Sequence, residues 1–240
     1  MKKTFSFALG CLWRWQDSKN RGGLIKYVEK LGVSGVEITL GHKEEISAFK
    51  ISDKAKKWLK SLDYVSIHAP FRLLEEAKDQ NEVISQLDAI SKLYKEVNAK
   101  NVIIHPDNLP STKILEKYDF NISTENLTPK SRMGISQMKK IFRKYPKIKL
   151  CLDVSHAYLW SELETKRIVD NFGDKISQIH FSGTYRKKDH QSLRSVTKNF
   201  LRSIEPIKNL QVPIVIEEDI EKEKGERYLV DEVEYIKAMF

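Results

Sequence analysis

The chain has 240 residues, 40% hydrophobic and 10% aromatic, which suits one domain with a sizeable core. No apolar run approaches the ~18–20 residues of a membrane helix, and two cysteines exclude a disulfide-stapled scaffold and agree with a reducing compartment. A net charge of +9 attracts polyanions without naming one.

The first residues, MKKTFSFALGCLW, carry an apolar stretch too short for a signal peptide, and Trp13-Arg14-Trp15 stands where a cleavage site would fall. They are read as the first strand of a cytoplasmic protein. Helical patterns then occupy 23–31, 52–61, 81–97, 111–117, 131–144, 161–172, 195–207 and 222–240. Within 81–97, Val83, Leu87, Ile90, Leu93 and Tyr94 recur at three- and four-residue spacing, as an amphipathic helix requires. Serines at the head of several segments suit N-caps. The fourth unit, between His105 and Glu125, is short. Between the helices lie short apolar runs whose ends fall near 9, 40, 68, 105, 125, 153, 180 and 217.

Eight alternations of strand and helix predict an α/β chain, a single (β/α)8 TIM barrel spanning 1–240. An open doubly wound sheet is the structural alternative, but it would scatter the side chains at the strand ends. Those side chains are the second signal. YVSIH ends at His68, NVIIH at His105, FNISTE at Glu125, IKLCLD at Asp153 with His156 three residues on, ISQIH at His180 and PIVIE at Glu217; His190 follows His180 by ten. A barrel gathers the carboxyl ends of its strands at one mouth, so these imidazoles and carboxylates would converge. Such a donor set suits zinc, with manganese or iron as alternatives, and a carboxylate can bridge two ions. Any one of these residues alone reads as a hydrogen-bonded histidine or a helix cap; repetition at six strand ends makes the case for metal. His42 lacks a partner pattern and is read as a solvated loop histidine.

Loops on the same face carry Phe71, Arg72, Lys130, Arg132, Tyr185, Arg186, Lys187 and Lys188. The cations there would hold phosphate oxygens and Phe71 would stack on a base or sugar, the alternative being an ordinary solvated rim.

From about Arg21 to Glu218 the chain resembles the xylose isomerase-like TIM-barrel superfamily, and within it endonuclease IV, the metal-dependent AP endonucleases. The resemblance rests on Gly22-Gly23-Leu24, Gly35-Val36-Glu37-Ile38, His68-Ala69-Pro70, Ile104-His105-Pro106, Glu125-Asn126, Asp153-Val154-Ser155-His156-Ala157, Ile179-His180, His190 and Ile216-Glu217, in that order. It implies that His68 and His105 hold one zinc ion and that Glu125 bridges to a second completed by Asp153, His180 and Glu217. His156 and His190, with Asp189, would hold a third. A metal-bound hydroxide would then cut duplex DNA on the 5′ side of an abasic site, with the protein acting as a monomer away from membranes. Three departures stand out. Asp189 directly precedes His190 where the family places one residue between them, Leu127-Thr128-Pro129-Lys130 replaces a glycine-rich stretch, and Gly41-His42-Lys43-Glu44-Glu45 lacks DNA-inserting character.

The competing reading is a sugar or sugar-phosphate isomerase or epimerase of the same superfamily. It needs one divalent ion on Glu125, Asp153, His180 and Glu217, with Glu125 and Glu217 passing a proton as acid and base. That reading leaves His68, His105, His156 and His190 without a joint role. A third class, a non-catalytic descendant, would keep the barrel and bind nucleic acid or protein.

Overall fold

A computed structural model describes residues 3–16 and 18–240. Eight parallel strands close a barrel: β1 (Phe5–Ala8), β2 (Gly35–Thr39), β3 (Tyr64–His68), β4 (Asn101–Ile103), β5 (Ile122–Glu125), β6 (Lys149–Asp153), β7 (Ile176–Phe181) and β10 (Ile214–Ile216). Each strand pairs with its sequence neighbours, and β10 closes the ring between β7 and β1. Between β7 and β10 stands an antiparallel hairpin, β8 (Gly183–Tyr185) and β9 (Lys188–Gln191).

The runs look almost continuously apolar because a parallel barrel strand is covered on both faces, by the interior and by the helix layer. Val36, Ile38, Val102, Leu150, Leu152, Ile214 and Ile216 are all fully buried. Register decides what reaches the mouth. Thr39 pairs with His68 and Asp153 with His180, while Glu125 pairs with Cys151, so the metal-competent residues lie at or within two residues of their strand ends on the same side of the barrel.

The barrel interior beneath that level is polar. Glu37 accepts hydrogen bonds from Ser66 Oγ and Gln178 Nε2, each at 2.9 Å. Gln178 Oε1 accepts from Tyr64 Oη at 2.6 Å and from Asn101 Nδ2 at 3.0 Å. Buried polar groups of this kind persist where partners satisfy them.

The helices follow the expected pattern with shifted starts. Ser52 caps Asp53–Ser61 by accepting from Ala55 N, as its sequence position suggests. Asp79 caps Gln80–Val97 and Thr197 caps Lys198–Ser203, while Ser111 precedes Thr112–Leu115 without a side-chain cap bond. The helix expected from 131 begins at Ile135, because Pro129–Ser131 forms a 3-10 turn and Arg132 takes a left-handed φ of 57°. Two helices arise where loops were expected, Lys43–Ala48 and Val154–Trp160. Both cysteines are free and buried, and among the described residues no helix is long and apolar enough to cross a membrane.

Candidate metal centre

Glu125 ends β5 at the centre of the mouth, 2% exposed, and its two oxygens face different partners. Oε2 lies 3.3 Å from His68 Nε2 and 3.6 Å from His105 Nε2. Oε1 lies 3.3 Å from both His156 Nδ1 and His180 Nδ1. Three groups of donor atoms result, each drawn together within 4.8 Å: His68, His105 and Glu125; Glu125, Asp153, His180 and Glu217; and Asp153, His156 and His190. Glu125 belongs to two of them and so does Asp153.

Local structure aims each ring. His68 Nδ1 donates to Ala69 O at 2.8 Å, which leaves Nε2 toward Glu125. His180 presents Nδ1 to Glu217 Oε2 at 2.7 Å while Nε2 faces Glu37 Oε2 at 3.2 Å. His190 turns Nδ1 to Glu217 O at 2.9 Å and takes a left-handed φ of 51°, a strained backbone for a non-glycine residue. Asp153 does two things. Its Oδ1 accepts from Ser155 Oγ and His156 N, capping Val154–Trp160, so the helix-cap reading of this residue is right as far as one oxygen goes. Its Oδ2 is buried without a hydrogen-bond partner among the described residues. An unpaired buried carboxylate oxygen costs free energy unless a cation or donor meets it, and the third donor group lies beside it. Nitrogen and carboxylate donors in this number fit zinc or manganese.

The electrostatics have the same form. Burial pushes Glu125 up, but the charge of His180 and the hydrogen bonds of His105 and His156 outweigh it and hold the carboxyl well below its usual range. Glu217 is likewise pushed up by burial but pulled by His180 to about 2. Burial lowers His156, yet Asp153 and Glu125 raise it to about 10. His68, His180 and His190 also stand above the ordinary imidazole value, burial being overcome by the surrounding carboxylates. Asp153 is raised, by burial first and then by Glu125, against His156.

The third group gathers Asp153 with His156 and His190, and Asp189, expected beside His190, has its Oδ2 3.6 Å from His156 Nε2. A cavity of about 530 Å³ opens over the cluster, lined by Trp13, Arg21, His42, Phe71, Lys188 and Glu217 among others. Phe71 stacks on His105 at 5.4 Å between ring centroids and meets His68 edge-on, so one side of its ring already packs against the histidines. Arg72 is exposed and paired with Glu75 at 2.6 Å. Tyr185, Arg186 and Lys187 occupy the hairpin, with Arg186 over the Tyr185 ring, while Lys188 lines the cavity. Lys130 and Arg132 are exposed in the loop after β5. His42 is paired, not merely solvated: Nδ1 lies 2.9 Å from Glu76 Oε1.

Sequence reasoning missed Glu37, Arg21 and Trp13 as site neighbours. Glu37 stood in the Gly35-Val36-Glu37-Ile38 motif without a role assigned to it. Arg21 is held by Glu45 at 2.7 Å, and Trp13 donates from Nε1 to Asp219 at 3.1 Å; neither link has a local sequence signal.

A closed parallel barrel with histidines and carboxylates gathered at the carboxyl ends of its strands defines a metal-compatible (β/α)8 protein. The sequence profile described as xylose isomerase-like TIM barrel matches residues 25–238, and the chain belongs to that family. No curated protein matches it in sequence. Similar solved structures include endonuclease IV from Thermus thermophilus, at TM-score 0.68 and 14% identity with 98% of each chain covered. They also include 3-keto-D-glucoside 4-epimerase from E. coli, at TM-score 0.69 and 14% identity, covering 99% of this chain and 100% of that one. A xylose isomerase domain-containing protein from Salmonella typhimurium aligns at TM-score 0.71 and 14% identity, covering 100% and 98%. Identities this low carry the fold and leave the reaction to the site.

Proposed function

We propose that the protein is a metal-dependent phosphodiesterase that hydrolyses the DNA backbone on the 5′ side of an abasic site. The observation that carries this reading is the division of Glu125, with one oxygen toward His68 and His105 and the other toward His156 and His180. A carboxylate so placed is suited to bridging two cations. On this reading His68 and His105 hold one ion, Asp153, His180 and Glu217 a second, and His156 and His190, beside Asp153 and Asp189, a third. Bound zinc, or manganese, would supply an activated water at neutral pH and neutralise charge developing on the phosphoryl oxygens. The protein's own share is positioning. Phe71 bounds the cavity beside His105, and Lys188 reaches it from the hairpin, where a cation meets phosphate. Tyr185, Arg186 and Lys187 extend that cationic edge along the hairpin, and Arg72, paired with Glu75, lies in the loop after β3. The reading takes the whole chain as one catalytic domain, acting as a monomer in the cytoplasm.

The second reading is a sugar or sugar-phosphate isomerase or epimerase. It draws on the quartet Glu125, Asp153, His180 and Glu217, which converges by itself, and on a cavity within the ~300–1,000 Å³ of small-ligand sites. It leaves His68 and His105 idle.

The test is incision of a labelled duplex carrying one abasic site by zinc-loaded protein. Cleavage 5′ to the lesion supports the proposal. An intact duplex together with epimerised ketose would establish the second reading.

A further inference from the structure

We infer that the barrel flank built by residues 126–152, running from the rim of the mouth to the opposite end, is a binding surface for the phosphate backbone of duplex nucleic acid. Between Glu125 and Asp153 the chain carries eight cations (Lys130, Arg132, Lys139, Lys140, Arg143, Lys144, Lys147 and Lys149) and no Asp or Glu. The other 213 residues hold thirty-four cations against thirty-three acids, so eight of the nine net charges reside in this one segment.

All eight side chains are exposed, and none forms an ion pair with a described carboxylate. Some lysines elsewhere are paired, as Lys30 is with Glu226, Lys43 with Glu82, Lys56 with Glu96 and Lys166 with Asp170, while others such as Lys57 and Lys92 pair with no described carboxylate. The flank is set apart by having eight cations and no acid in one stretch. The fold lines the free charges up. Lys130 and Arg132 stand at the mouth just beyond β5. The helix Ile135–Lys144 descends the flank, and Lys147 and Lys149 lie at the opposite end, where β6 begins. At 1.5 Å per residue that helix runs about 15 Å. It turns Met138 and Phe142 into the core, which leaves Lys139, Lys140, Arg143 and Lys144 on the outer arc with only Ser136 and Gln137.

A cationic helix of this kind suits two partners, anionic lipid or nucleic acid. Lipid surfaces are held by basic residues together with an apolar face that inserts. Here the apolar face is spent on the core, and no large exposed hydrophobic falls in 126–152. A polyphosphate backbone asks for unpaired cations at the surface and nothing apolar. Continuity with the mouth through Lys130 and Arg132 would let one duplex touch both. The flank itself does not depend on the reaction proposed above.

The experiment is anisotropy of an undamaged fluorescent duplex, titrated with native protein between about 50 and 200 mM salt. The variant replaces Lys139, Lys140, Arg143 and Lys144 with Gln, and a charge-matched control replaces Lys57, Lys60, Lys92 and Lys95. Unchanged metal content and melting temperature establish that both variants are folded. With a slope of about 0.9 per phosphate contact, the flank variant should lose about three to four from the slope of log K against log salt, and the control less than one. Equal losses in both variants would reduce the effect to bulk charge and overturn the inference, as would an unchanged flank slope. Flank-dependent binding to phosphatidylserine vesicles without duplex binding would assign the surface to lipid and overturn it too. The probe has no abasic site, so a protein that cuts nothing can keep this result, and one that cuts can lose it.

Discussion

Glu37 Oε2 lies 3.2 Å from His180 Nε2, on the side of the ring opposite Glu217. Glu37 is fully buried and Glu217 partly so, with the histidine between them, and Glu37 is fixed in turn by Ser66 and Gln178. An acceptor on Nε2 selects the tautomer whose Nδ1 lone pair points into the cluster. Glu37→Gln keeps the shape and removes the charge. Metal affinity is expected to fall by roughly tenfold or more, read by competition with a chromophoric chelator. An unchanged affinity would reduce Glu37 to a structural residue of the barrel interior.

Metal binding should be coupled to protons in a stated direction. His156 stands at about 10, so its ring holds a proton at pH 7 that a metal must displace, and His68, His180 and His190 are shifted in the same direction by the surrounding charge. Titration calorimetry in two buffers of different ionisation enthalpy should show proton release at pH 7 and tighter binding as pH rises. For the metal-free protein the sign reverses. A raised histidine stabilises the fold fully below ~6.5, and for His156 that contribution is lost as pH climbs toward about 10. Chelator-treated protein should therefore melt lower at pH 9 than at pH 6.5. Buffer-independent heats would contradict the assignment.

The hairpin tip is strained. Arg186 and Lys187 form a two-residue turn with φ of 49° and 61°, left-handed values that favour Gly or Asn. Lys187→Gly should raise stability by about 1 kcal/mol in urea unfolding. It should also weaken duplex binding, because one cation leaves the hairpin tip beside the cavity-lining Lys188. A variant that is more stable and binds equally well would remove Lys187 from the substrate interface.

Two mouth residues should differ sharply. Glu125→Gln is expected to abolish incision with the fold retained, because it takes the charge from the only side chain shared by the first two donor groups. His42→Ala should change incision less than about twofold, since its pair with Glu76 has an imidazole 61% exposed and such pairs contribute about 0–1 kcal/mol. Steady-state incision rates on one abasic duplex compare the two.

Strand ends were legible because a barrel strand stops where its apolar run meets a polar residue, and His68, Glu125 and Asp153 each close their strand in that way. What escaped notice depends on contacts remote in sequence or on turns without their usual residues. Arg186-Lys187 gives no hairpin signal, lacking Gly or Asn. The helix Val154–Trp160 hides behind the cap that begins it. Asp189 was expected in the third group by position; the donor atoms drawn together there come from Asp153, His156 and His190, with Asp189 Oδ2 3.6 Å from His156 Nε2. His42 has its partner thirty-four residues away in Glu76.

Anomalous diffraction at the zinc edge from loaded crystals tests the central claim most directly. Two peaks flanking Glu125, roughly 3.5–4 Å apart, with the nearer peak to His68 and His105 lost in a His68→Ala variant, are the expected result. A single peak among Glu125, Asp153, His180 and Glu217 at full zinc loading would contradict the bridging role of Glu125 and leave a one-metal site.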